Sequence, residues 1–286
     1  RLKRVLGADL TVYIGLSQSL LGNLRDLLFL RIARRSRVVV HLHGGGIRKS
    51  LFDRYPLLKL VNRIAYRKVS QLRAVVLGDS LVSQFHGVVT KQRIRVIENY
   101  VDPTLVVDSS VLEQKHDSST PIRVLYLSNM IESKGYRQLR AAAEWFQQQG
   151  ERDIEVTFAG AFDDSQEEQA FVGALEDSPC RYVGMVTGEE KRELLHEADL
   201  FCLPTAYPYE GQPISILEAY AAGAVVLTTT IGGIADVFTD GQNGIEIDAP
   251  RAYDVLLALK RYNQLSHPER QRISRNNREI AVTRFT

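Results

Sequence analysis

Residues 199–244 read DLFCLPTAYPYEGQPISILEAYAAGAVVLTTTIGGIADVFTDGQNG. The apolar run 201–204 reads as a strand buried on both faces, and it ends at Pro204. A loop follows, and Pro213 falls where a helix begins, because the missing N–H of proline costs nothing in a first turn. The backbone N–H groups of Gly211, Gln212 and Ile214 then gather at the positive end of that helix, a setting that suits a phosphate or another oxyanion. Glu210 precedes the helix, and Glu218 lies about five residues inside it with its side chain tilted back toward the N-terminus. Both carboxylates thus face one crevice at the C-terminal edge of a parallel sheet, where open α/β folds bind ligands. A plainer reading has Glu218 complementing the helix dipole and Glu210 as an exposed loop charge.

Outward from this stretch, Val-rich runs that mostly do not alternate recur at 11–15, 37–42, 74–77, 94–97, 122–127, 155–159, 201–204 and 224–229. Apolar residues at helical spacing fill the intervals 20–33, 56–68, 136–148, 189–197 and 213–222. Strand and helix in alternation predict doubly wound parallel-sheet domains. Residues 103–121, PTLVVDSSVLEQKHDSSTP, are rich in Ser, Asp and Thr and mark a boundary. This gives an N-terminal domain over 1–105, a linker over 106–120 and a C-terminal domain over 121–286. With four visible strands, the first domain reads as incomplete.

Charge divides at the same place. Residues 1–105 carry 19 Lys and Arg against 6 Asp and Glu, net +13, and the remainder carries 17 against 28, net −11. The basic part is suited to face something anionic, such as phosphate, nucleic acid or an acidic membrane surface. No aromatic interleaving or known motif supports nucleic acid. A chain of 286 residues, 44% apolar and 24% charged, is neither disordered nor fibrous. Its longest apolar runs are four or five residues, against the ~18 that span a bilayer. Two cysteines, Cys180 and Cys202, make no disulfide framework and no zinc cluster, so a reducing, cytosolic setting is expected. The chain opens at Arg1 without Met or a signal-peptide pattern, and reads as a fragment.

Several signatures are absent. There is no G-x-G-x-x-G and no G-x-x-x-x-G-K-[ST]. His43-Gly44-Gly45-Gly46 has the look of an oxyanion loop, but no G-x-S-x-G elbow accompanies it, the nearest match being Gly15-Leu16-Ser17-Gln18-Ser19. His41 and His43 have the H-x-H spacing of metal ligands without a third ligand nearby, and Asp-x-Asp is missing, so no metal site is expected. His86, His116 and His196 fall in helical or linker contexts and read as solvated.

Glu210-Gly211-Gln212-Pro213, Glu218-Ala219, Gly223 and Gly232-Gly233 resemble the E-x7-E region of retaining glycosyltransferases of GT-B fold, the large group-one (family four) class. Ser128-Asn129-Met130 with Lys134-Gly135 is similar to that family's Gly-Arg-Leu then Lys-Gly segment. Asn99-Tyr100-Val101-Asp102 is similar to its Asn-Gly-Val-Asp, and Gly78-Asp79-Ser80 to its Ser-x-Ser strand end. The resemblance runs from about Arg37 onward. It implies two Rossmann-like doubly wound domains facing a cleft, the first incomplete, with a closing helix missing after Thr286.

The resemblance also implies roles. Glu210 would sit near the transferred sugar, and His43 would contact the donor sugar from the end of its strand. Glu218 would accept hydrogen bonds from the ribose. Lys134 would neutralise the diphosphate leaving group, helped by the helix that follows Ser133. Ser128, Asn129, Gly211, Gln212, Pro213, Ile214, Gly232 and Gly233 complete the donor site. Departure of a diphosphate needs mainly a positive field and positioning, which a lysine and a helix end supply without a metal. Two departures weaken the match. Asn129 stands where the family commonly has Arg, removing half the cationic clamp unless Arg123 substitutes, and Gly211-Gln212-Pro213 replaces Gly-Phe-Gly, removing one backbone donor, a variant associated with polysaccharide-building members. The implied activity is metal-independent, retaining transfer of a sugar from a UDP- or GDP-linked donor to a glycan or lipid-linked glycan, without a cofactor. The enzyme would be cytoplasmic, with peripheral contact to an anionic inner leaflet. The alternatives are a GT-B sugar-nucleotide epimerase and a non-catalytic, degenerate nucleotide-sugar-binding protein.

Overall fold

A computed structural model describes residues 10–116, 121–150 and 153–286. The basic opening residues Arg1, Lys3 and Arg4, and positions 117–120 of the predicted linker, lie outside the described residues.

The first sheet has four parallel strands in chain order, β1 (Thr11–Gly15), β2 (Arg37–Leu42), β3 (Leu72–Val76) and β4 (Ile94–Val96). Helices α1 (Leu20–Ile32) and α2 (Pro56–Arg67) connect the first three strands. Ser19 caps α1 by accepting a hydrogen bond from the Gly22 N–H, and Pro56 opens α2 where no N–H is needed. Val38, Val40, Leu42, Leu72 and Ala74 form a sealed core on one face of this sheet, while Tyr13, Val39, His41 and Arg73 on the other face are exposed or half-buried.

The second sheet has six parallel strands, β5 (Ile122–Leu127), β6 (Ile154–Ala159), β7 (Cys180–Tyr182), β8 (Leu200–Leu203), β9 (Val225–Thr228) and β10 (Gly244–Glu246). Their order is β10-β9-β8-β5-β6-β7, so the winding reverses between β5 and β8. Its helices are α3 (Ser109–Gln114), α4 (Tyr136–Gln148), α5 (Ser165–Gly173), α6 (Gly188–Glu197), α7 (Ile214–Ala221), α8 (Ala252–Gln264) and α9 (His267–Ile280). Helix α7 starts at Ile214 rather than at Pro213, which is its extended N-cap with φ −66° and ψ 120°. The strands β7 and β10 are three residues each and too short to show a period, and α9 is dominated by polar residues. Its start is fixed by a capping box between Ser266 and Glu269.

Contacts divide the chain into two compact units. One comprises residues up to Asn99 together with Pro208–Gln212 and Gly232–Val237, and the other comprises Tyr100–Tyr207, Pro213–Ile231 and Phe238–Thr286. The sequence assigns every position from 121 onward to one domain. The structure places two short loop segments of that range with the first sheet, because their backbones pack against glycines there. The segment read as a linker packs on the second unit: the Val107 N–H donates to the Ala221 carbonyl at 3.0 Å.

That segment carries a buried polar cluster. Lys115 donates its ammonium protons to the carbonyls of Ala198 (2.6 Å) and Leu195 (3.3 Å). Asp199 accepts from the His116 N–H at 2.9 Å, from the Arg123 N–H at 3.1 Å and from the Arg123 guanidinium at 3.1 and 3.2 Å. His116, expected to be solvated, is fully buried with its Nδ1 3.0 Å from the Tyr262 hydroxyl. His196 is half-buried against the Leu105 carbonyl, and His86 is exposed.

Burial pushes His116 from 6.5 down to about 3 and Lys115 from 10.5 down to about 7. A histidine held neutral in the fold binds its proton more readily in the unfolded chain, so the stability it allows is present above 6.5 and is lost as pH falls below it. Urea unfolding should therefore show a midpoint that drops from pH 6.5 toward pH 4. His116 has a positive φ of 67°, which Asn also tolerates. His116→Asn should flatten the decline by up to about 1.4 kcal/mol per pH unit, and an unchanged slope would refute the assignment.

Candidate functional site

In the first unit, three loops meet backbone to backbone. His43 follows β2 and is exposed, and the glycines after it press against Tyr209 and Glu210. The Gly45 N–H donates to the Tyr209 carbonyl at 3.2 Å, and the Gly233 N–H to the Gly211 carbonyl at 2.9 Å. A Cβ at Gly45 would fall 2.5 Å from the Glu210 carbonyl oxygen, one at Gly211 2.0 Å from that of His43, and one at Gly232 2.2 Å from that of Glu210. Gly232 also has φ +56°, so two demands fix glycine there. Glu210 is buried at the centre of this clasp.

The surrounding residues brace it. Asn99 donates its N–H to the Gln212 Oε1 and its side-chain amide to the Gln212 carbonyl, both at 2.7 Å, and the Gln212 amide donates to Glu98 at 3.1 Å. Ser80 donates from its hydroxyl to Asp236 at 2.6 Å and to the Gly232 carbonyl at 3.1 Å. Gln18 accepts from the Gly46 N–H at 2.7 Å. Asn99 and Ser80, part of the family-like pattern, thus act as struts that position Glu210 and His43. Asp102 caps the turn Pro103–Leu105 by accepting from the Thr104 N–H at 2.9 Å.

Beside His43, His41 lies with the two rings 3.9 Å apart, and its Nδ1 is hydrogen-bonded to the Tyr13 hydroxyl at 2.5 Å. Burial first, and the neighbouring His43 second, push His41 down to about 4, so it is neutral at ordinary pH. Among the described residues, no three His, Cys, Asp or Glu side chains gather as a set able to hold a metal ion.

The second unit carries the remaining predicted residues at the C-terminal edge of its sheet. The segment after β5 is held to that after β6: the Ser128 N–H donates to Ala159 at 3.1 Å and the Met130 N–H to Ala161 at 2.9 Å. Asn129 is exposed at this edge. Gly135, with φ +83° and room for no Cβ against the Pro204 carbonyl, turns the chain into α4. Lys134 lies just before it, its ammonium 5.2 Å from the centre of the Tyr207 ring. A cavity of about 470 Å³ opens here, lined by Ile131, Glu132, Ser133, Gly135, Gln138, Ala206 and Pro250. It lies where the segments leaving β5 and β8 diverge, the switch point at which doubly wound sheets bind ligands.

Glu218 is buried on α7, and its Oε1 accepts from the Lys191 ammonium of α6 at 2.7 Å. Lys191 was not singled out in the sequence, where it is one charge in the run Glu189-Glu190-Lys191-Arg192-Glu193; only the tertiary pairing separates it from its neighbours. Lys191 also lines a cavity of about 550 Å³ with Asp102, Thr104, Gly188 and Arg192.

The structure therefore brings His43, Glu210, Gly211, Gln212, Gly232 and Gly233 together in the first unit, and Ser128, Asn129, Lys134, Pro213, Ile214 and Glu218 in the second. It corrects one expectation. Arg123 cannot replace the cation absent at Asn129, because it sits at the opposite end of β5, about 20 Å of strand away, bound to Asp199.

Residues 108–280 match the model of the family "Glycosyl transferases group 1", and the chain belongs to that family. It is 28% identical over 251 residues to alpha-maltose-1-phosphate synthase of Mycolicibacterium smegmatis, covering 80% of this chain and 60% of that protein. It is 27% identical over 274 residues to the amylovoran biosynthesis glycosyltransferase AmsK of Erwinia amylovora, covering 90% of this chain and 62% of that one. The chain thus spans about three fifths of the length of these relatives. Among solved structures it is similar to Anabaena HepE in complex with UDP-glucose (TM-score 0.71, 18% identity, 96% of this chain and 74% of that one). It is also similar to sucrose-phosphate synthase from Thermosynechococcus elongatus (TM-score 0.73, 18% identity, 96% and 69%). At these identities the likeness shows the fold, which is GT-B.

The pairing of Glu218 with Lys191 is open to a thermodynamic test. Lys191→Met should destabilise the chain by about 1–2 kcal/mol, leaving a largely buried carboxylate without its cation. In a double-mutant cycle with Glu218→Gln, measured by urea unfolding, the pair should show a coupling of roughly 1 kcal/mol, and simple additivity would contradict the pairing.

Proposed function

We propose that the protein transfers a sugar, with retention of configuration, from a nucleoside diphosphate donor to a glycan or lipid-linked glycan during polysaccharide synthesis. The observation that carries the reading is the Glu218 carboxylate, buried on α7 and held in one orientation by Lys191, in a sheet whose switch point also bears Lys134. One oxygen of Glu218 is engaged by Lys191, and the carboxylate has further acceptor capacity for ribose hydroxyls. Family membership and the amylovoran relative support the polysaccharide setting.

The chemistry follows from charge. The bond between the anomeric carbon and the diphosphate oxygen breaks, and its electron pair leaves with the diphosphate. The acceptor hydroxyl bonds to the same face of the sugar and passes its proton to the departing phosphate oxygen. Negative charge grows on the diphosphate, and Lys134 supplies the opposite charge, with the backbone donors at the start of α7. Lys134 moves from the Tyr207 ring to the phosphate, a stronger partner. Asn129 offers a neutral donor where an arginine would give a charged one, so diphosphate binding relies on Lys134 more heavily. Glu210 and His43, held by the glycine clasp, act on the transferred sugar. No metal ion or cofactor is required, and the cytoplasm, where Cys180 and Cys202 stay reduced, is the proposed setting.

Calorimetric titration with UDP and with GDP tests the donor site. One nucleotide should bind selectively, and Glu218→Ala and Lys134→Ala should each weaken it by roughly 10- to 100-fold, the loss of one charge-assisted hydrogen bond. Absence of binding by either nucleotide at millimolar concentration would favour a non-catalytic protein. Release of free nucleotide together with a new glycoside would exclude the epimerase.

A further inference from the structure

On the less covered face of the first sheet, three rings meet at the end that leads into the glycine clasp. His41 lies in β2 and His43 directly follows it, two residues on, so both side chains leave the same face. Across the ladder, β1 sets Gly15 opposite His41 and Tyr13 opposite Val39. Glycine brings no side chain to that place, and the diagonal neighbour Tyr13 is long enough to reach the imidazole. The Tyr13 ring meets that of His41 edge to face, with centroids 5.9 Å apart at 88°, and its hydroxyl is hydrogen-bonded to the His41 Nδ1 at 2.5 Å. His41 in turn lies over His43, with centroids 3.9 Å apart and planes at 31°.

Packing alone does not call for an imidazole at position 41. Its Nε2 is buried and has no hydrogen-bond partner among the described residues. A buried ring nitrogen left unpaired costs stability that an aliphatic residue at the same strand position would not. Burial also keeps the ring uncharged near neutral pH, so it meets His43 as a flat neutral wall.

His43 is the exposed member of the stack. The clasp holds its main chain, through contacts such as that of the Gly45 N–H with the Tyr209 carbonyl, but such contacts leave the ring its own side-chain torsions. The neighbouring face of His41 limits them.

We propose that Tyr13 and His41 are positioning residues for His43: Tyr13 fixes the plane of the His41 ring, and that ring holds the His43 imidazole in one orientation toward the transferred sugar. The inference rests on the reading of His43 as a contact to that sugar and adds the two residues that aim it. A ring ordered before the donor arrives is not ordered at the expense of binding, so the benefit falls on recognition of the sugar. Lys134 and Glu218, assigned to the nucleotide, belong to the other unit and do not share in it.

The test sets sugar nucleotide against bare nucleotide in calorimetry of the whole chain, UDP-glucose with UDP and GDP-mannose with GDP, and reads the histidine ring nitrogens by NMR. The His43 signals are those lost in His43→Gln. Tyr13 is 59% exposed, so Tyr13→Phe leaves the fold intact, and it should shift the ring signals of His43 as well as those of His41, the ring between them. His41→Val, a residue suited to a strand, should weaken sugar nucleotide roughly 5- to 10-fold, the loss of about one oriented hydrogen bond, with bare nucleotide unchanged. His41→Phe, which keeps a flat ring against His43, should recover most of that loss. Unmoved His43 signals in Tyr13→Phe, or equal losses for sugar nucleotide and bare nucleotide in His41→Val, would overturn the proposal. Binding of neither UDP nor GDP to the unmutated chain would instead overturn the donor reading on which it rests, so the two failures are told apart.

Discussion

Glycine at positions 45, 211, 232 and 233 is the constraint on which the site depends. Loops that begin at the end of β2 and in the segments 208–212 and 232–237 come so close that any Cβ would overlap a carbonyl. Because the contact is backbone to backbone, Glu210 and His43 are placed by main-chain geometry rather than by side-chain packing, and Ser80, Asn99 and Asp236 lock that geometry with hydrogen bonds. A site built this way tolerates little change in its loops.

The parallel strands were legible because their physics is local. The run of β5 is largely buried on both faces and that of β2 is Val-rich with one face buried, and their limits in the structure are those the sequence predicts. The helices α3, α5, α8 and α9 and the strands β7 and β10 were not: α3 lies in the segment read as a linker, and α9 buries Arg270, Gln271, Ser274 and Asn277 rather than an apolar stripe. His116 misled for a related reason. It sits among polar residues in sequence, and its burial comes from Asp199 and Tyr262, partners far along the chain.

The candidate site was legible as a set of residue types and illegible as a network. Glu210 and Glu218 stand out by their places before and inside a helix that begins at a sheet edge, and Lys134 by the resemblance of Lys134-Gly135 to the family's Lys-Gly segment. That Asn99 and Ser80 are braces, that Asp102 is a turn cap, and that Lys191 holds Glu218 are facts of tertiary pairing, which spacing does not encode. The same limit explains Arg123, a plausible cation in sequence that lies at the wrong end of its strand.

Hydrogen–deuterium exchange of the chain with and without saturating nucleoside diphosphate tests the central claim most directly. Binding at the switch point of the second sheet predicts slowed exchange in 128–138 and 212–218, with α1 and α2 unchanged. Protection confined to other segments, or none in the presence of either UDP or GDP, would contradict the assignment of Lys134 and Glu218 to a nucleotide.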